Sequence, residues 1–220
     1  MFDQAVVKMI GNGILETLYM TLTSTFIAYI IGLPLGVALV VTDKDGIHPI
    51  RWLNSILNVI VNILRSIPFL ILMIFVTPLT RAIIGTSLGP TATIVPLVIG
   101  SAPFIARLVE SSIKEIDKGV IEAAQSMGAK PMQIIWKVLL PEARPSILVG
   151  AAIAVTTILS YSAMAGIIGG RGLGDIAIRY GYYRYENGIM FVTVALLVII
   201  VQVLQEVGMM VARKNDKRRK

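Results

Sequence analysis

Residues suited to covalent or metal chemistry are scarce in these 220 residues. The chain has no cysteine and a single histidine, His48, set before Pro49 in a short loop. Disulfides and thiolate metal sites are therefore excluded, and His48 reads as an ordinary loop residue. No carboxylate pair, Ser/His set or metal-ligand spacing appears, so no catalytic residue and no metal ligand are assigned. The phosphate-cradling pattern Gly-x4-Gly-Lys-Ser/Thr is absent, and no strand precedes the glycines of Gly166–Gly174, which read as an external turn. What the sequence does offer is a spaced pattern in its largest loop: Glu122-Ala123-Ala124, three residues, Gly128, eleven residues, then Leu140-Pro141.

The elements that position these residues follow from local propensity. Glu122 to Met127 is good helix-forming sequence, Gly128 suits the left-handed cap that ends such a helix, and Pro131 fits the first turn of a second short helix. There Ile134, Ile135, Val138 and Leu139 form one apolar stripe, and Pro141 is expected to end it. Two short amphipathic helices joined at a glycine form a knob that fits a groove on a partner. Amphipathicity alone slightly favours the other reading, a helix pair lying on lipid headgroups.

The knob interrupts a sequence built for lipid. The chain is 55% hydrophobic and 15% charged, with mean hydropathy +0.79, against ~45–50% and ~25% for soluble domains. Charge-free runs cover Thr17–Thr42 (26 residues), Ala82–Ala106 (25), Pro145–Gly170 (26) and Asn187–Gln205 (19). About 20 helical residues cross ~30 Å of hydrocarbon. A fifth span is needed between Trp52 and Thr80, where Arg65 is the one charge. The expectation is an all-α polytopic membrane protein, a single domain over 1–220 with spans near 14–41, 55–78, 91–109, 146–168 and 188–211 and a cytoplasmic loop at 110–144. The alternating pattern of a membrane barrel is missing. The N-terminal stretch does not read as a cleaved signal, because its apolar run is too long and no Ala-x-Ala site follows.

Basic residues set the orientation. The loops Thr42–Arg51 and Arg107–Arg144 with the tail from Glu206 carry 14 Lys/Arg, and the opposite face carries five. The positive-inside bias puts the N-terminus outside and the tail Arg213–Lys220 in the cytoplasm. The net charge of +7 is thereby a topology signal, and nucleic acid is not an expected partner. Gly32, Pro34 and Gly36 are expected to interrupt the first span, as Pro90, Pro96, Gly100 and Pro103 punctuate the third. Apart from Glu16 and Glu206 at span ends, the spans as drawn contain no carboxylate, which argues against a proton-driven carrier.

The spacing of Glu122-Ala123-Ala124, Gly128 and Leu140-Pro141 resembles the "EAA" signature of permease subunits of bacterial ABC importers, with Val138 where isoleucine is usual. That resemblance implies a type I importer bundle whose loop is a coupling helix seated in a cleft of a separate ATPase subunit. Glu122 would anchor it, Ala123 and Ala124 would permit close approach, Gly128 would make the turn, and Leu140-Pro141 would set the return into the next span. Arg65-Ser66-Ile67-Pro68-Phe69 resembles the segment before the core span of amino-acid permeases, with Arg65 as an interfacial structural residue. Ala163–Gly166 and Gly170–Tyr182 resemble the methionine-import permeases. The implied assembly has two copies of the permease, two ATPase subunits carrying ATP and magnesium, and an extracytoplasmic binding protein, set in the cell membrane, with no cofactor on this chain. The cargo implied is an amino acid, L- or D-methionine. The alternatives are another amino acid or small osmolyte, an ATP-independent secondary transporter, or a membrane scaffold without transport. For the pathway, Ser160, Tyr161 and Met164 in the fourth span are the candidates, since a soft methionine closes a pore by packing and opens it by a rotamer change. Plain bundle packing is the alternative for Met164.

Overall fold

In lipid a helix satisfies every backbone polar group within itself. In the computed structural model, which describes residues 3–215, all regular structure is helical, and no strand occurs among the described residues. The order is α1 (Gln4–Val41), α2 (Arg51–Ser66), α3 (Phe69–Phe75), α4 (Thr77–Ile84), α5 (Pro90–Lys114), α6 (Lys118–Ser126), α7 (Pro131–Ile134), α8 (Leu140–Ala165), α9 (Gly172–Ile176) and α10 (Asn187–Asn215). The last five residues of the basic tail Arg213–Lys220 lie outside the described residues.

Among the described residues four helices are long and apolar enough to cross a membrane: Gln4–Val41, Pro90–Lys114, Pro131–Ile168 and Asn187–Asn215. Together α2 and α3 pass the same test of length and composition, but they are bent by 103° at the break between them. The cause is local. Pro68 has no N–H to donate and disfavours helix at Ile67 before it, and its own ψ of 132° is extended.

Two expectations need correction. Gly32, Pro34 and Gly36 do not interrupt the first span, because α1 runs unbroken through all three. Pro141 does not end the second knob helix either. A π-helical stretch, Ile135–Leu139, joins α7 to α8, with the Leu140 N–H reaching back to the Ile135 carbonyl. Widening the ladder by one residue leaves Pro141 in the first turn of α8, where its missing N–H costs nothing. Helix also extends beyond the apolar runs. α5 reaches Lys114, so Arg107 and Glu110 lie within a candidate span, and Glu110 is a buried carboxylate where none was expected. Charge pairs at i,i+3 and i,i+4, Arg107–Glu110 and Glu110–Lys114, support that extension.

The described residues fall into two compact units. The first comprises residues 3–28, Ile67–Ser101 and Ala154–Gln205. Its core gathers Leu173, Ile176 and Ile189, with Met9, Ile10 and Ile14 of α1 and Leu196 and Leu197 of α10 against them. The turn after α8 is tied to α1 by hydrogen bonds from the Gly172 N–H to Glu16 Oε2 (3.0 Å) and from the Leu173 N–H to Thr17 Oγ1 (2.9 Å).

The second unit comprises Tyr29–Ser66, Ala102–Ile153 and residues 206–215. Leu39, Val61 and Ala106 form its buried centre, with Leu35 and Leu57 packed on it. The two α1 glycines serve close approach here. A Cβ at Gly32 would stand 2.8 Å from the Ala102 carbonyl oxygen, and one at Gly36 would stand 2.7 Å from Val109 Cβ. Small residues let membrane helices meet backbone to backbone, so α1 and α5 are in direct contact along this stretch.

Candidate functional site

The knob is built on the end of α5. Ile113 and Ile116 are buried, and Asp117 then caps α6, its carboxylate accepting the Gly119 N–H at 2.6 Å. Such a cap satisfies one of the orphan donors of a helix start. α6 ends where Gly128 takes φ +77°. The Ala129 N–H bonds the Ala124 carbonyl (3.1 Å) and the Gly128 N–H bonds the Gln125 carbonyl (2.9 Å), the paired closure of a Schellman motif. α7 opens on Pro131, with the Gln133 side chain accepting the Lys130 N–H at 2.8 Å. Both short helices are therefore held by their own ends.

The six signature residues do not all face outward. Glu122, Ala123, Gly128 and Pro141 are exposed, Leu140 is half-buried, and Ala124 is buried within the knob. The Glu122 carboxylate makes no hydrogen bond or ion pair among the described residues. Ala124 and the buried Ile134 and Leu139 hold the knob together, leaving Glu122 and Ala123 to present its surface. A cavity of about 550 Å³ opens beside Glu122, with Asp43, Lys44, Lys118 and Gln125 on its walls.

Sequence reasoning missed the apolar part of that surface. Met127, Met132 and Trp136 are 82%, 62% and 65% exposed, outside the stripe Ile134–Ile135–Val138–Leu139 on which attention fell. Trp and Met are enriched in protein interfaces. Three such side chains outside the apolar stripe were the available signal.

The pathway candidates lie on α8 in the first unit. Ser160 is exposed, its hydroxyl bonded to the Thr156 carbonyl at 3.1 Å, and Met164 is 45% exposed one turn further on. Tyr161 is half-buried and stacks on Phe69 of α3, with ring centroids 4.3 Å apart and planes 7° from parallel. Phe69 directly follows the helix break at Ile67-Pro68. Arg65 is exposed in the last turn of α2. His48 lies in the turn after α1, its N–H bonded to the Val41 carbonyl.

Residues 28–219 match the family model described as "Binding-protein-dependent transport system inner membrane component". The chain is similar to the probable D-methionine transport system permease protein MetI of Vibrio cholerae, 52% identical over 203 residues that cover 92% of this chain and 90% of the relative. It is 46% identical to the methionine import system permease protein MetP of Bacillus subtilis, over 94% of this chain and 93% of that one. Among solved structures, a chain of the inward-facing MetNI methionine ABC transporter superposes with a TM-score of 0.96 at 46% identity, covering 98% of this chain and all of the other.

Proposed function

Because the chain belongs to the family of binding-protein-dependent transport system inner membrane components, we propose that it is the membrane-spanning subunit of an ATP-driven importer that carries methionine into the cytoplasm. The whole chain works as one permease domain of the type I importer fold, and two copies pair around a central pathway. Each copy takes an ATPase subunit on its knob through Glu122, Ala123, Gly128 and Pro141, with Ala124 and Leu140 shaping that surface from within. The energy source, ATP with magnesium, resides on the ATPase, and an extracytoplasmic binding protein delivers L- or D-methionine. The N-terminus lies outside and the tail in the cytoplasm, as the Lys/Arg distribution requires.

Transport proceeds by alternating access. Rigid-body rocking of two bundles around a fixed site is a general transporter solution. ATP drives it because its binding favours one arrangement over the other. Ser160 and Met164 line the pathway, and the Phe69–Tyr161 stack braces α8 behind them. A flexible thioether is a suitable closure for a pathway that passes another thioether.

The observation that carries the reading is Glu122, an exposed carboxylate with no partner among the described residues, held on a knob capped at both helices. Reversing its charge tests it. Glu122→Lys in the full complex should lose most ATPase co-purification and substrate-stimulated ATP hydrolysis. A truncated interface anchor typically costs about 2 kcal/mol or more, equivalent to well over tenfold in affinity. Undiminished co-purification and hydrolysis would remove the coupling assignment.

A further inference from the structure

Ionised groups inside a membrane bundle are expensive and persist where they have partners and a task. The second unit holds four charges of alternating sign in one chain. Asp43, just past α1, meets Lys114 at 3.0 Å, and Lys114 reaches Glu110 Oε1 at 2.9 Å. The other Glu110 oxygen accepts from Arg107 Nη1. Arg107 Nη2 donates to Asn58 Oδ1 (2.7 Å) and Asn62 Oδ1 (2.8 Å) on α2. Asn58 in turn donates to Asn54 Oδ1 (2.8 Å), and Asn54 donates to the Leu39 carbonyl (2.7 Å) and Thr42 Oγ1 (3.1 Å), the residue before Asp43. The chain of contacts closes on itself: α5 to α2, α2 to the end of α1, and the end of α1 back to α5.

Glu110 is the hub of this ring. It is 8% exposed and holds both cations. The Lys114 hydrogen bond is the main cause that keeps the Asp43 carboxyl below its ordinary value of 3.8. Gly32 and Gly36 bring α1 close against Ala102 and Val109 of α5, and the ring adds polar bonds that tie the end of α1 to α5 and α2. A shift of one helical turn between these elements breaks the bonds that cross between them, Lys114–Asp43, Arg107–Asn58 and Asn62, and Asn54–Leu39 and Thr42, while the pairs within α5 and within α2 are retained. Replacing a buried ion pair with apolar side chains is often neutral or stabilising, so stability alone does not account for such a ring. It also stands immediately before the knob: two residues separate Lys114 from Asp117, the cap of the helix that bears Glu122.

We propose that the ring Asp43–Lys114–Glu110–Arg107–Asn58–Asn54 is the transmission of the importer, positioning residues that oblige α1, α2 and α5 to move together when the ATPase displaces the knob. This rests on the knob being the ATPase seat. It predicts that breaking the ring uncouples: the ATPase stays bound and hydrolyses ATP, and less cargo moves per ATP.

The test uses the complete complex of permease, ATPase and binding protein in liposomes, reading methionine moved per ATP hydrolysed. Glu110→Gln keeps the shape and removes the hub charge. It should leave ATPase retention and hydrolysis within about twofold and lower the transport ratio about tenfold, inside the 5–150-fold range of allosteric couplings. Asp43→Asn, outside the bundle, should lower the ratio about fivefold, at the weak end of such couplings. The double exchange Asp43→Lys with Lys114→Asp should recover part of the ratio lost in Lys114→Asp alone. An unchanged ratio in Glu110→Gln, or a parallel fall of hydrolysis and transport that preserves it, overturns the proposal. Should Glu110→Gln fail to assemble, an unchanged ratio in Asp43→Asn overturns it. Failure of the unsubstituted chain to retain an ATPase would instead overturn the docking reading.

Discussion

Single residues in the knob divide into those that shape it and those that face a partner. Gly128 shapes it: a side chain at φ +77° is strained even though open space surrounds the position. Left-handed backbone costs an ordinary residue about 1–2 kcal/mol, more for a β-branched one and less for asparagine. Gly128→Val should therefore raise protease cleavage within residues 126–131 and lower ATPase retention several-fold, whereas Gly128→Asn should keep most of both. Equal behaviour of the two variants would show that the turn conformation is unimportant. The knob was legible in the sequence because its residues lie close together and their roles are local: a helix former, the cap glycine Gly128 and the first-turn proline Pro131 each announce themselves. Glu110 was not legible. Its partners include Asp43 through Lys114 and Asn58 through Arg107, and nothing in a charge tally says that charges so far apart in sequence meet.

Elements show where one residue type gives two outcomes. Pro68 breaks its helix, and Pro141 sits in a continuous one. The difference lies in the preceding turn, which widens to a π-helical stretch before Pro141 and is extended at Pro68. A widened turn has no mark in composition, so the continuity of α7 into α8 was not legible in the sequence. The α1–α5 contact carries an element-level expectation. Gly36→Val places a branched side chain against Ala106 and Val109, and overpacking of this kind costs about 1–3 kcal/mol. The detergent-solubilised chain should melt several degrees lower. Gly11→Ala, with open space around its position, should leave the melting temperature unchanged or slightly raised. Equal melting of the two variants would contradict the close approach.

At the scale of the whole molecule, work is divided between this chain and its partners. The permease supplies lipid-crossing helices, a seat for an energy-supplying subunit and a path for cargo. Its relatives carry methionine in their names. The most direct measurement is uptake of labelled L-methionine into liposomes holding this chain with its ATPase and binding protein, with ATP inside or absent. Accumulation that requires both ATP and this chain, and that unlabelled methionine competes away, is the predicted result. Accumulation that proceeds equally without ATP, or that is indifferent to excess methionine, would contradict the assignment of this chain as the permease of a methionine importer.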